Sequence, residues 1–155
     1  MKVLIPIVIG LLVGGCASTP KVVPNSPEAK AAIEAAIRKA AKKPTGELTQ
    51  ADLEKVTKLN LGGNKLTDVK GLEKLDQLKE LYLAKNQLTN VKGLEKLWQL
   101  TRLHFHSNQL TDVKGLEKLT QLTHLYLENN PDLTKAQIDE LQKALPKCKI
   151  THNAK

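Results

Sequence analysis

Aromatic residues are scarce in this 155-residue chain, because tryptophan, tyrosine and phenylalanine together make up only 3% of it. Proteins that bind single-stranded nucleic acids stack the bases on aromatic side chains, so this scarcity argues against such a partner. The formal net charge of +8 does not change that conclusion, since acidic residues are interspersed among the lysines and no block of five or six like charges occurs. We therefore expect a mildly basic, solvated surface and no nucleic-acid partner; a weak attraction to anionic lipid or cell-wall polymer stays open.

Sequence motifs for catalysis are missing as well. There is no nucleophile elbow, no phosphate-binding loop and no cysteine pair at metal-ligand spacing, since the two cysteines are Cys16 and Cys148. The chain is therefore not expected to be an enzyme or to hold a cofactor. His104 and His106 would point outward from one strand, with Glu128 beside His106 on the next strand and His124 one column away, so a zinc-binding surface protein stays open as a third reading. Histidines on an exposed strand usually sit in water, however, and we predict no metal site.

No hydrophobic run in the chain is long enough to cross a membrane. The apolar run Val3–Val13 would span about 16 Å as a helix, whereas the hydrocarbon core of a bilayer is about 30 Å thick. A short run of this kind behind a basic residue, here Lys2, is typical of a signal peptide. The run leads into the sequence Leu12-Val13-Gly14-Gly15-Cys16, in which two small residues precede a cysteine.

This segment resembles the lipobox of bacterial lipoproteins. The resemblance implies that residues 1–15 are removed as a signal peptide, that the Cys16 thiol accepts a diacylglyceryl group, and that the new amino terminus is acylated with a fatty acid such as palmitate. Residues 16–27 would then form a proline-containing tether. The protein is expected in the bacterial cell envelope, held by its lipid; Ala17 in place of aspartate favours the outer membrane in a Gram-negative organism.

One pattern recurs every 22 residues along the middle of the chain. It is seen in the leucines Leu59, Leu81, Leu103 and Leu125, and in the asparagines Asn64, Asn86, Asn108 and Asn130. The pattern LxxLxLxxNxL is the signature of leucine-rich repeats. Complete units cover 56–77, 78–99 and 100–121, and a partial unit covers 122–130. The unit length and the tail LTDVKGLEKL resemble the repeats of internalins.

The repeats imply an α/β fold, a short right-handed leucine-rich-repeat solenoid with a parallel β-sheet on its concave face. Residues 28–55 are predicted to form a helical N-terminal cap, because Ser26 and Thr49 stand where hydroxyl groups cap helices. Residues 131–155 are predicted to form a helix–strand C-terminal cap and tail, with the helix capped by Thr134. Both caps would cover apolar ends of the repeat stack that otherwise face water.

The repeated residues are predicted to have structural roles. The leucines would point into the core, and the asparagines would pair with backbone groups inside it. Cys148 is predicted to be a small buried hydrophobic residue. Trp98 occupies the position that Asp76 and Thr120 hold in the neighbouring units. We predict that it packs over the convex surface, with a small exposed apolar contact as the alternative.

The residues that change from unit to unit lie at the outward positions of the strands, where they would form three columns on the concave face. Tyrosine and histidine among them suit binding, because they combine a large contact area with few rotatable bonds. The predicted partner-binding residues are Lys58, Asn60, Glu80, Tyr82, Arg102, His104, His106, His124, Tyr126 and Glu128.

The function that these features indicate is an exported, lipid-anchored and monomeric module that binds an extracytoplasmic protein through its concave face. The alternative is a structural envelope lipoprotein, or a binder of cell-wall glycan, without a specific protein partner. A concave face that is merely solvated also stays open.

Overall fold

The computed structural model describes residues 23–155, which form a stack of strand-and-return units between two caps. Cys16 and the predicted signal peptide lie outside the described residues. Within residues 23–155, no helix has the length and apolar character that crossing a membrane requires.

The N-terminal cap begins with helix α1, Pro27–Ala41. The Ser26 hydroxyl caps this helix by accepting a hydrogen bond from the backbone N–H of Ala29, and proline in the first turn loses no helical hydrogen bond. The helix ends because Lys42 adopts a left-handed conformation with a φ of 55°. Its buried residues are Ala29, Ile33, Ile37 and Ala41. This narrow apolar stripe packs on the first strand of the sheet.

A short helix, α2 (Gln50–Leu53), leads into the first repeat. Thr49 and Asp52 form a capping box in which each side chain accepts a hydrogen bond from the backbone N–H of the other residue. The buried Asp52 carboxylate also lies 2.8 Å from Lys43 Nζ and 3.1 Å from Lys55 Nζ. These contacts, the one with Lys43 above all, hold the pKa of Asp52 well below its usual range. At neutral pH the ion pair with Lys43 therefore joins the segment after α1 to α2.

Asn25 ties the start of the described chain to the first repeat. The residue is 4% exposed, and its side-chain amide donates hydrogen bonds to the carbonyl and the carboxylate of Asp68. Its Oδ1 atom accepts a hydrogen bond from the backbone N–H of Thr67 at 2.8 Å. Asn25 stands within the predicted tether, so the folded unit includes residues before position 28.

Five parallel strands form one sheet in chain order. The first four are β1 (Lys58–Asn60), β2 (Glu80–Tyr82), β3 (Arg102–His104) and β4 (His124–Tyr126). Across these four strands, paired residues are 22 apart in the chain. Helix α3 (Lys135–Ala144), capped by Thr134, follows the last repeat, and β5 (Lys149–Thr151) returns to pair with β4. The predicted solenoid, with a helical N-terminal cap and a helix–strand C-terminal cap, is confirmed.

The core lies between the sheet and the return segments, two of which contain the 3₁₀ turns Leu94–Lys96 and Leu116–Lys118. Most of the repeated leucines, and Phe105 in the third unit, have no solvent exposure. Burying one such side chain fully contributes about 1.5–3 kcal/mol, so the repeated pattern dominates the stability of the stack. Cys148 belongs to this core as predicted, and burial raises the pKa of its thiol to about 11.

Buried asparagines link each repeat to the one before it. Asn108 Oδ1 accepts a hydrogen bond from the backbone N–H of Leu88, and Asn108 Nδ2 donates to the carbonyls of Leu83 and Phe105. Phe105 belongs to the same unit as Asn108, whereas Leu83 and Leu88 belong to the preceding unit. The equivalent links are made by Asn86 and Asn130. The predicted structural role of the ladder is confirmed.

Asn64 provides a natural contrast to the ladder. It occupies the same position in the first unit, but no earlier repeat lies beside it. Its side chain is partly exposed and donates one hydrogen bond, to the carbonyl of Gly62.

Replacing Asn108 by alanine should therefore destabilise the fold far more than replacing Asn64. Asn108→Ala leaves the backbone N–H of Leu88 without its partner in the core, and it removes one of the two side-chain amide hydrogen bonds that the carbonyls of Leu83 and Phe105 each accept. The expected loss is about 2–4 kcal/mol. Asn64→Ala should lower the free energy of unfolding by less than about 1 kcal/mol. Urea denaturation of both variants measures this difference, and equal losses would contradict the role of the ladder.

Candidate binding surface

The outward residues of the five strands form one open surface, which we call the sheet face. On every repeat strand the central leucine is buried, while the residues on either side are partly or fully exposed. The sheet face consists of Lys58, Asn60, Glu80, Tyr82, Arg102, His104, His124, Tyr126, Lys149 and Thr151, with His106 and Glu128 just beyond β3 and β4. The ten residues predicted from the sequence are therefore brought together on one side of the sheet.

A stack of three rings crosses the middle of the sheet face. His104 lies between Tyr82 and Tyr126, at centroid distances of 4.3 and 4.2 Å and with the ring planes inclined by 12° and 10°. The three residues are in register on adjacent strands, and a strand spacing of about 4.8 Å suits the face-to-face packing of flat side chains. Because both faces of the His104 ring are covered, the stack presents ring edges to a partner.

The environment of His104 favours its neutral form. Burial lowers the pKa of His104 below its ordinary value, and the nearby His106 and Arg102 lower it further. Glu80 and Glu128 act in the opposite direction but do not reverse the shift. At neutral pH the His104 ring therefore offers one donor and one acceptor nitrogen.

An ion-pair network around Glu80 holds the N-terminal part of the sheet face. The Glu80 carboxylate lies 3.0 Å from Lys58 Nζ and 3.2 Å from Arg102 Nη1, and it accepts a hydrogen bond from the Tyr82 hydroxyl at 3.1 Å. Lys58 Nζ also lies over the Tyr82 ring, 5.1 Å from the centroid. The pairing of Lys58 with Glu80 raises the pKa of Lys58 and lowers the pKa of Glu80. Tyr82 is thus held by Lys58, Glu80 and His104 together.

The C-terminal part of the sheet face has no comparable network. His106 stands edge-on to the stacked His104 at a centroid distance of 6.3 Å, and His124 lies 6.4 Å from Tyr126. Within residues 23–155, Glu128 has no ion-pair partner, and its Oε2 atom is buried without a hydrogen bond. In the same range, no three histidine, cysteine or acidic side chains are placed to hold a metal ion.

The return segments, on the other side of the core, repeat the same contacts in every unit. A glutamate carboxylate accepts a hydrogen bond, at 2.5–2.6 Å, from the backbone N–H of the glycine two residues earlier. The pairs are Gly71 with Glu73, Gly93 with Glu95, and Gly115 with Glu117. These glycines have φ angles of 99° to 107°, which other residues adopt only with strain.

Trp98 is the exception on the return side. The residue is 58% exposed, so the prediction that it packs over the convex surface is wrong. The physical reason lies in its neighbours. Leu97 and Leu100 are fully buried and fill the core on both sides of position 98, which leaves the indole no apolar pocket.

Two members of the sheet face, Lys149 and Thr151, were not predicted from the sequence. They pair with His124 and Tyr126 and extend the columns that contain those two residues onto β5. Paired residues of β4 and β5 are 25 apart in the chain, so the 22-residue repeat does not predict the position of β5. The alternation of buried Cys148 with Lys149 would have identified them, had β5 been assigned to the same sheet. Thr151 Oγ1 is buried without a hydrogen-bond partner.

Comparisons with known proteins agree with this architecture. The family model described as Leucine Rich repeats (2 copies) matches residues 54–96 and 98–143, more than half of the chain. No curated protein sequence matches. Among solved structures, internalin C2 of Listeria monocytogenes is 27% identical, with a TM-score of 0.67, over 77% of this chain and 52% of its own. The internalin InlF of the same organism is 26% identical, with a TM-score of 0.67, over 88% of this chain and 48% of its own.

A leucine-rich-repeat protein of Leptospira interrogans is also similar, with 33% identity and a TM-score of 0.58 over 68% of this chain and 28% of its own. The chain spans about half the length of the two internalin structures that it matches. Internalin-like leucine-rich-repeat domains are non-enzymatic binding modules, and their partners are typically proteins. On its repeats, its sheet and the extent of the family match, this chain belongs to the leucine-rich-repeat family.

Proposed function

We propose that this chain is a lipid-anchored, protein-binding module of the bacterial cell envelope, without enzymatic activity or a cofactor. It acts as a monomer and binds an extracytoplasmic protein on the sheet face. The observation that carries the proposal is the stack of Tyr82, His104 and Tyr126, which places three rings side by side on the open side of a rigid sheet.

The distribution of differences between the repeats supports this choice of surface. The return segments 66–75, 88–97 and 110–119 differ from one another at a single position. The outward strand positions, in contrast, change from unit to unit. Because outward side chains do not fill the core, they are free to match a partner without a loss of stability.

The contacts within the sheet face also support binding. Three neighbours hold Tyr82, and two tyrosines enclose His104, so these side chains have few conformations to lose when a partner arrives. Freezing a mobile side chain at an interface costs about 0.5–1.5 kcal/mol. A surface that is already ordered avoids most of that cost.

The geometry of the stack favours a protein over a glycan. Sugars pack against the open face of an aromatic ring. Both faces of the His104 ring are covered, and Tyr82 has His104 against one face and Lys58 near its ring. The exposed ring edges, hydroxyls and nitrogens instead match the hydrogen-bonding groups of a protein surface.

The amino-terminal motif supports a membrane anchor, and Ala17 favours the outer membrane in a Gram-negative organism. The eight residues between Cys16 and Asn25 would span about 25 Å in extended geometry. Asn25 is bonded to Asp68, which lies in the return segment of the first unit. An anchor attached there leaves the sheet face free for a partner.

Removing the outer rings of the stack should weaken partner binding. Once the partner has been identified by crosslinking and capture from the native envelope, the double variant Tyr82→Ala and Tyr126→Ala should raise its dissociation constant by at least about tenfold. The matched control is Trp98→Ala, which removes an exposed aromatic side chain from the return side and should leave affinity unchanged. Circular dichroism establishes that both variants are folded. If the tyrosine variant binds with unchanged affinity and the tryptophan variant loses affinity, the binding site lies on the return side and not on the sheet face.

The anchor is tested by substituting the two cysteines separately. Cys16→Ser removes the thiol that would carry the diacylglyceryl group, so most of the protein should move from the membrane fraction to the soluble fraction. Cys148→Ser is the control, because that thiol is buried in the C-terminal cap and should not affect membrane retention. Retention of the Cys16→Ser protein in the membrane would show that no lipid on Cys16 is needed.

A further inference from the structure

Three of the four histidines of the chain lie on the sheet face, namely His104, His106 and His124. The fourth, His152, follows β5 and lies close enough to Asp139 of α3 to influence its carboxylate. Histidine is the side chain whose ordinary pKa makes it change charge between pH 5 and pH 8. Most of the side chains that would gain a positive charge in mild acid therefore lie on the sheet face.

Protonation of these histidines would change the charge of the sheet face sharply. At neutral pH its charged groups are the cations Lys58, Arg102 and Lys149 and the carboxylates Glu80 and Glu128. Protonation of the three histidines doubles the number of cations to six, while the carboxylates remain two. A nearly balanced surface thus becomes strongly positive.

We infer that the histidine-bearing half of the sheet face docks an acidic segment of the partner protein, and that this docking tightens as the pH falls from about 7.5 to about 5.5. The inference rests on the proposed function, because it names the chemistry and the regulation of the partner at that same face. Aspartate and glutamate side chains stay ionised in this pH range, so an acidic segment complements the added charge.

The groups that surround the histidines leave this charge largely uncompensated within the described residues. The charged and titratable groups facing them are Glu80 and Tyr82 on β2, Arg102 on β3, Tyr126 on β4, Glu128 beyond β4, and Lys149 on β5. The Glu80 carboxylate is already paired with Lys58 and Arg102. Among the sheet-face groups within residues 23–155, Glu128 is then the one unpaired carboxylate for three imidazolium groups.

The position of His104 links protonation to binding. In the free protein, burial between two tyrosine rings lowers the pKa of His104, and the proximity of His106 adds to the shift. A partner carboxylate at the ring edges would stabilise the protonated form and so raise this pKa again. Binding and proton uptake then favour each other, which means that affinity rises as the pH falls through the histidine range.

A decapeptide of aspartate is a suitable probe, used with the full chain in mild detergent at low salt. Fluorescence anisotropy should show binding about tenfold tighter at pH 5.5 than at pH 7.5. In nuclear magnetic resonance titrations, the peptide should raise the titration midpoints of His104, His106 and His124 by about half a pH unit or more. His152 is the internal control, and its midpoint should not move.

Histidine variants distinguish acid-dependent docking from non-specific electrostatic attraction of the peptide to a basic protein. His106→Gln with His124→Gln preserves the ring stack and should reduce the tenfold pH effect to about threefold or less. His152→Gln should retain the full effect. A pH effect that survives the double substitution, or equal midpoint changes at all four histidines, would overturn the inference. Tighter binding of inorganic polyphosphate than of the peptide would also overturn it and assign the surface to an anionic polymer.

Failure of this inference can be distinguished from failure of the proposed function. A natural partner that requires Tyr82 and Tyr126, but binds equally well at both pH values, would overturn the acid-dependent docking and leave the protein-binding function in place. A partner whose binding does not require these tyrosines would overturn the proposed function itself.

Discussion

The buried asparagine ladder is the interaction on which the rest of the structure depends. Leucine burial draws the units together, but apolar contacts are not directional and do not by themselves define how one unit sits on the next. Together with the parallel pairing of the strands, Asn86, Asn108 and Asn130 provide that definition, because each binds backbone groups of its own unit and of the unit before it. A shift between neighbouring units would leave several backbone groups unpaired in the core.

The fixed stacking of units has a direct consequence for the sheet face. Because paired residues are 22 apart from β1 to β4, outward side chains at equivalent positions lie in columns. Flat side chains at neighbouring sites of one column can then pack face to face, as Tyr82, His104 and Tyr126 do. Within each unit, the inward leucines and the asparagine stabilise the fold, whereas the outward strand residues are available to a partner.

Most of the architecture could be predicted from the sequence, because the same pattern of buried and exposed residues recurs in each repeat. The strands, the inward leucines, the asparagine ladder and the helix caps at Ser26, Thr49 and Thr134 follow from local patterns. The ring stack was not predictable in the same way, since alternation shows that Tyr82, His104 and Tyr126 share a face but not which rotamers they adopt. The docking of Asn25 depends on residues that lie more than forty positions apart in the chain.

Trp98, Lys149 and Thr151 differ from the sequence predictions for similar physical reasons. Trp98 was predicted to pack over the convex surface, yet the adjacent leucines already occupy the core. Lys149 and Thr151 were not identified because the C-terminal cap departs from the repeat length and joins the sheet through β5. In both cases the repeat pattern describes one unit at a time. Whether a side chain is buried, or joins the sheet face, also depends on how the adjacent residues and strands pack around it.

We propose that the partner lies against the sheet face and not against the return side. Site-specific photocrosslinking in producing cells tests it most directly, with the crosslinking amino acid placed at position 106 in one strain and at position 98 in another. Both positions are accessible, and they lie on opposite sides of the core. We expect a discrete adduct with one partner protein from position 106 and none from position 98. An adduct from position 98 with none from position 106 would contradict the claim.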